Sequence, residues 1–244
     1  MKKGYRFIGL LLMVLLVLAG CGMAPEKIPE TSPEIFTEQP TFTPTPYSMR
    51  EPIEREPVTE AYSLVPLLSG KPEPIWQLSE GYPLETLLRG TGDTKGSFRI
   101  LWDEDHLYVQ VTVNDKTPTV NDRFQLSDHV VVYVNEDGRK PRKYAVGDYY
   151  CVLDRNGSVS YGTGCVQEQI KTVTYETEEG YVAEFCFTLL SIPGKRDATI
   201  GFDVAFTDYA GDKVSVNAQW SDNSGHTDKT LQGVGTITLR REDD

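Results

Sequence analysis

Apolar and polar positions alternate in short runs from about residue 62 to residue 240, and glycine- or asparagine-centred turns separate the runs. Residues 107–113 show the pattern best, with Leu107, Val109, Val111 and Val113 on one face and Gln110 and Thr112 on the other. A period of two is the repeat of an extended strand. Residues 129–135 are apolar on both faces (Val130, Val132, Val134 against Val131, Tyr133), as expected of a central strand covered on both sides. Further strands are predicted at 98–102, 149–153, 158–161, 170–175, 181–187, 199–206, 214–220 and 234–240. Asp137-Gly138, Glu179-Gly180 and Ala210-Gly211 mark turns, and Asn156-Gly157 predicts a type I′ hairpin between 149–153 and 158–161. No long window carries helical periodicity. Many short strands without interleaved helices predict an all-β fold, an antiparallel β-sandwich or barrel.

The first sixty residues follow two other patterns. Lys2, Lys3 and Arg6 precede an apolar run from Phe7 to Leu18, which ends in Leu18-Ala19-Gly20-Cys21. The run is short for a bilayer span, and its order is that of a bacterial lipoprotein signal, residues 1–20, with Cys21 as the lipid attachment site. Residues 21–60 are rich in proline, glutamate and threonine, as in Thr41-Phe42-Thr43-Pro44-Thr45-Pro46. Such a segment buries too little apolar surface to offset its ordering entropy and reads as an extended linker. The expectation is a single domain over 62–241, anchored by lipid to the cell membrane and facing the extracellular side.

Charge narrows the partners. Thirty-six acidic residues against 24 basic ones give a formal charge of −12, and the only charged residues in the signal, Lys2, Lys3 and Arg6, are basic, so its removal makes the charge more negative. Nucleic acid and anionic headgroups are therefore excluded as partners, and membrane contact falls to the lipid. Cys151 and Cys165 flank the predicted hairpin and are a possible disulfide, or equally two small buried hydrophobes; Cys186 is left over. His106, His129 and His226 lack metal-site spacing, and no cofactor is expected beyond a structural Ca²⁺ in an acidic turn such as Asp103-Glu104-Asp105. No nucleophile elbow, phosphate loop or dinucleotide fingerprint occurs, so catalysis is not expected.

Several local patterns resemble, in order, the family 9 carbohydrate-binding modules that accompany xylanases. They are Ser69-Gly70-Lys71-Pro72-Glu73-Pro74-Ile75-Trp76, Leu101-Trp102-Asp103-Glu104-Asp105-His106-Leu107-Tyr108-Val109, Asp115, Ser127-Asp128-His129-Val130, Glu179-Gly180-Tyr181, Ile200-Gly201-Phe202-Asp203-Val204, Asp208, Trp220-Ser221-Asp222 and Gly235-Thr236-Ile237-Thr238-Leu239. The resemblance implies a non-catalytic β-sandwich that holds oligo- or polysaccharide between two tryptophan faces, in support of a glycoside hydrolase partner. Trp220 matches one such tryptophan. Gln125, beside Phe124, stands where the other belongs, and Val131, Cys151 and Ala205 replace a glutamate, an arginine and a glutamine of the family's site.

The residues themselves leave Trp220 open. Alternation sets it with Val214, Val216 and Ala218 on the apolar face, whereas the resemblance makes it a sugar platform. Asn217 and Gln219 point the other way and reach sugar hydroxyls only if that is the binding face. Phe124, Tyr149 and Tyr209 are candidate second platforms, and Trp76 and Trp102 are read as core. The alternative function is a surface-displayed interaction or spacer module that kept the sandwich and lost sugar binding.

Overall fold

The computed structural model describes residues 58–191 and 197–240. Its strands are β1 (Val58–Ser63), β2 (Tyr82–Pro83), β3 (Thr86–Gly90), β4 (Lys95–Trp102), β5 (His106–Asn114), β6 (His129–Asn135), β7 (Asp148–Asp154), β8 (Val159–Tyr161), β9 (Ile170–Glu176), β10 (Tyr181–Thr188), β11 (Thr199–Ala210), β12 (Lys213–Gln219) and β13 (Gly235–Leu239). Two sheets pack face to face. The first runs β8-β7-β6-β11-β13-β1, with β12 beside the second half of β11 and β3 outside β12. The second runs β1-β4-β5-β10-β9, with β2 beside β4. Pairing is antiparallel except at β1, which lies parallel to β13 and then to β4 and so joins the sheets.

Alternation builds the core as the sequence predicts. Val109 and Val111 of β5, Val130, Val132 and Val134 of β6, Phe185 and Phe187 of β10, and Phe202, Val204 and Phe206 of β11 meet between the sheets. Trp102 is fully buried there, and its indole N–H reaches the carbonyls of Ala61 (2.5 Å) and Arg240 (2.8 Å), tying both ends of the domain together. The outward residues of β6 are also covered: Val131 and Tyr133 pack with Ala205, Leu231 and Val234. The outward residues of the second sheet (Leu101, Tyr108, Cys186) lie under Trp76, Ile75, Leu64 and Leu68.

Three expectations change. β1 begins at Val58, inside the stretch read as linker, because its backbone supplies a shared edge to both sheets. The hairpin after β7 is not type I′, since Asn156 lacks the positive φ that turn requires. Gly157 takes the positive φ instead (86°), following a turn closed by its N–H on Asp154 O (3.0 Å). Arg155 is thereby turned inward, onto Asp115 (2.7 Å) and Asp128 (3.5 Å), with Glu176 at 2.7 Å. The acidic turn at 103–105 is spoken for by its own chain: Asp103 accepts the Asp105 and His106 N–H groups, the Tyr108 hydroxyl (2.7 Å) and the His106 ring (3.0 Å). Burial pushes its carboxyl up, but these bonds outweigh it and hold the group below the usual range. A Ca²⁺ there would compete with an already satisfied turn. The three-carboxylate cluster among the described residues is Asp115, Asp128 and Asp208, which Arg155 already partly neutralises.

Candidate functional site

The outer face of the first sheet carries a cavity of about 310 Å³. Its floor is apolar, from Val131 of β6 and Ala205 of β11, which are paired across the two strands. Tyr133 continues the floor. Thr207, Asn217 and Gln219 form a polar wall, while His129 and Leu88 stand at its sides. One roof segment, 225–234, folds back over the sheet: Leu231 and Val234 seal the floor's far end, and the Leu231 N–H bonds to Pro141 O (3.1 Å). The Tyr144 hydroxyl donates to Thr227 O (2.6 Å) and holds that roof from the other side.

The polar wall is pre-oriented. Asn217 Nδ2 donates to Thr207 Oγ1 (2.7 Å), which leaves the Asn217 carbonyl oxygen and the Thr207 hydroxyl proton for a ligand. Gln219 Nε2 donates to Asp203 (2.8 Å) and to Thr227 Oγ1 (2.8 Å), and Thr227 in turn donates to Asp222 (2.8 Å). Asp203 also accepts the backbone N–H groups of Val204, Ser221 and Asp222. Burial pushes its carboxyl up to about 7, although those bonds pull the other way. The His129 Nδ1 faces the Ser127 carbonyl (2.8 Å), which fixes that nitrogen as the donor and Nε2 as an acceptor. Burial lowers the His129 pKa, so the ring is neutral near pH 7. The cavity thus offers carbonyl and imidazole acceptors and a hydroxyl above an apolar floor, with Asp228 as the charged lining residue.

The structure sorts the sequence candidates sharply. Trp220 is not a platform: it is 3% exposed, set edge-on to Phe98 (5.3 Å) and beside Phe202 (6.2 Å) in the inter-sheet core. Gly235 lies against its ring so closely that a Cβ there would come within 2.2 Å. The period-two pattern prevails over the motif because residues 216, 218 and 220 share the inward face. Asn217, by the same rule, faces the cavity. Tyr149 is likewise in the core. Phe124 is half-buried and stacks on the His129 ring (6.3 Å, 23°), and Tyr209 is tilted against the same ring (6.2 Å, 39°); Gln125 beside Phe124 is exposed. This aromatic row borders the cavity through His129. Of the replaced positions, Val131 and Ala205 do line the cavity, but Cys151 does not: it points into the core, and its neighbour Val152 sits across from Val131. Cys151 and Cys165 are unbonded thiols. Cys21 lies outside the described residues. Sequence reasoning did not name Thr207 and weighed His129 only for metal spacing and as part of a motif, although alternation from Ala205 and Val131 places both on the same face.

Comparison with known proteins gives a consistent picture. The family model described as "Carbohydrate family 9 binding domain-like" matches residues 68–242. Endo-1,4-beta-xylanase C of Paenibacillus barcinonensis is 28% identical over 182 residues, 72% of this chain and 17% of the enzyme. Endo-1,4-beta-xylanase A of Thermoanaerobacterium saccharolyticum is 26% identical over 179 residues, 71% of this chain and 15% of the enzyme. The chain therefore spans only a small part of these relatives. A family 9 carbohydrate-binding module from Caldicellulosiruptor kristjanssonii, solved with cellotriose, superposes with a TM-score of 0.72 at 20% identity, over 78% of this chain and 96% of that one. Its glucose complex gives 0.71 at 21% identity, over 78% and 98%. These two establish likeness of fold.

Proposed function

The chain belongs to the carbohydrate family 9 binding domain-like family, whose domains bind sugar and do not catalyse, and from that premise we propose that it holds neutral oligosaccharide in the cavity on the outer face of its first sheet. The observation that carries this reading is the cavity's composition. Pyranose C–H faces match the Val131–Ala205 floor and Tyr133, and sugar hydroxyls match the acceptors of Asn217, Gln219 and His129. The lining is about as polar as it is apolar, and an apolar floor under several placed polar groups suits a ligand whose rings carry both C–H faces and hydroxyls. Among the described residues no Lys or Arg lines the cavity and Asp228 stands at it, which favours neutral over acidic sugars. The likeness to modules solved with cellotriose and glucose, and to parts of xylanases, suggests cellulose- or xylan-type chains.

On the same reading the signal-like start and Cys21 tether the domain to the outside of a cell membrane, where it keeps polysaccharide near a glycoside hydrolase. A second reading, an interaction or spacer module, is favoured by one observation: Val131 and Ala205 place apolar surface where the family carries polar partners. Calorimetric titration with cello- and xylo-oligosaccharides separates the two. Wild type is expected to bind, and Ala205→Phe, which fills the floor, to lose at least roughly tenfold in affinity; overpacking this buried position also lowers its melting temperature, so a native-like circular-dichroism spectrum at the titration temperature is the control for folding. Absence of binding in wild type favours the spacer.

A further inference from the structure

Cys151 sits in β7 with its side chain in the inter-sheet core, directly across from Tyr161 of β8. After β8 the chain doubles back: the Gly162 N–H bonds to Tyr150 O (3.0 Å) and the Cys165 N–H to Gly162 O (3.1 Å). This turn delivers Cys165, half-buried, to the same core cluster as Cys151. The two thiols lie within hydrogen-bonding reach of each other; that bond and burial push the Cys151 thiol up, and the bond holds Cys165 below the ordinary thiol range. Cys186 cannot join them. It lies on the outer side of the other sheet, under Trp76 with Leu101 and Tyr108.

We propose that Cys151 and Cys165 are a disulfide-forming pair, in which half-buried Cys165 meets the oxidant and buried Cys151 completes the bond. The oxidant is a small-molecule disulfide. The Cys165 thiolate attacks one of its sulfurs, and the departing thiolate takes up the Cys165 proton. Cys151 then gives its proton to solvent and attacks the Cys165 sulfur of the mixed disulfide, expelling the second thiolate, which is reprotonated. Two protein thiols are oxidised by two electrons and one small disulfide is reduced to two thiols. The new bond pins the segment holding Thr163, Gly164 and Val166, one wall of an apolar cavity of about 490 Å³ that also includes Val146 and Leu190.

The test uses the full chain carrying Cys21→Ser, equilibrated with oxidised or reduced glutathione, denatured, alkylated and mapped by mass spectrometry. The expected result is a single cross-link between the Cys151 and Cys165 peptides, with Cys186 alkylated. The melting temperature should rise by about 6–12 °C over the reduced form, the shift expected for closing a ring of this length in a domain of this size. Cys165→Ser should block both effects, and Cys151→Ser should leave glutathione on Cys165. A cross-link to Cys186, three alkylatable thiols after oxidation, or an oxidised form that melts no higher would each overturn the proposal.

Discussion

The two outer faces of the sandwich begin from the same strand alternation and end differently. On the second sheet, residues 64–78 lie across the strands and bring Trp76, Ile75, Leu64 and Leu68 onto Leu101, Tyr108 and Cys186. Even polar groups are enclosed there: Glu184 is fully buried with Gln110 (2.9 Å) as its donor, and burial raises its carboxyl. On the first sheet, the roof at 225–234 covers only part of the strands, so Thr207, Asn217 and Gln219 open into a cavity. Whether an outward strand residue becomes core or site is decided by the loop that crosses it. Tryptophans follow the same division. Trp76 and Trp102 are fully buried and Trp220 nearly so, and the open face is built without indole.

The largest effects should come from the tryptophans. Trp76→Ala and Trp220→Ala are each expected to cost about 3–5 kcal/mol in chemical denaturation, the range for emptying a large aromatic site in a core. Any Trp76→Ala protein still folded should bind oligosaccharide as wild type does. A loss of affinity there, without loss of stability, would break the contrast between the faces.

Next in size is a pH effect seated under the cavity wall. An unfolded Asp ionises near 4, whereas buried Asp203 is pushed up to about 7. Between these values the folded chain holds the proton more tightly, so this group favours folding most below about pH 4 and that contribution is lost as pH rises through 7. Asp203→Asn should therefore flatten the fall in melting temperature between those limits, whatever its offset. An unchanged slope would remove Asp203 from the account. The smallest effect is expected for Asn217→Ala, which removes one acceptor from the wall and should weaken oligosaccharide binding roughly fivefold, about 1 kcal/mol. Titration calorimetry reads it, and a melting curve near that of wild type confines the loss to the site.

How far the sequence reveals this depends on the range of the interactions involved. Strands with clean alternation, such as β5 and β6, are legible because each residue's burial follows from its neighbours in the chain. β3 is not: Leu87 is exposed at half its area on an edge strand, so the apolar signal points the wrong way. β1 is hidden by the prolines and glutamates before it. In the site, the outward direction of Asn217 was legible from period two. The place of Trp220 was contested because its motif and its alternation disagree, and the deciding contact, Gly235, lies in another strand. Arg155 gives no local hint that its side chain ends only 3% exposed, with the guanidinium on Asp115 and Asp128, since that depends on three separate loops.

The most direct test follows the side-chain N–H resonances during titration with cello- or xylo-oligosaccharide. The Asn217 and Gln219 amides should shift saturably while the indole N–H signals of Trp76, Trp102 and Trp220 stay in place. Movement of the Trp220 indole with the two amides unmoved would contradict ligand binding in the outer-face cavity.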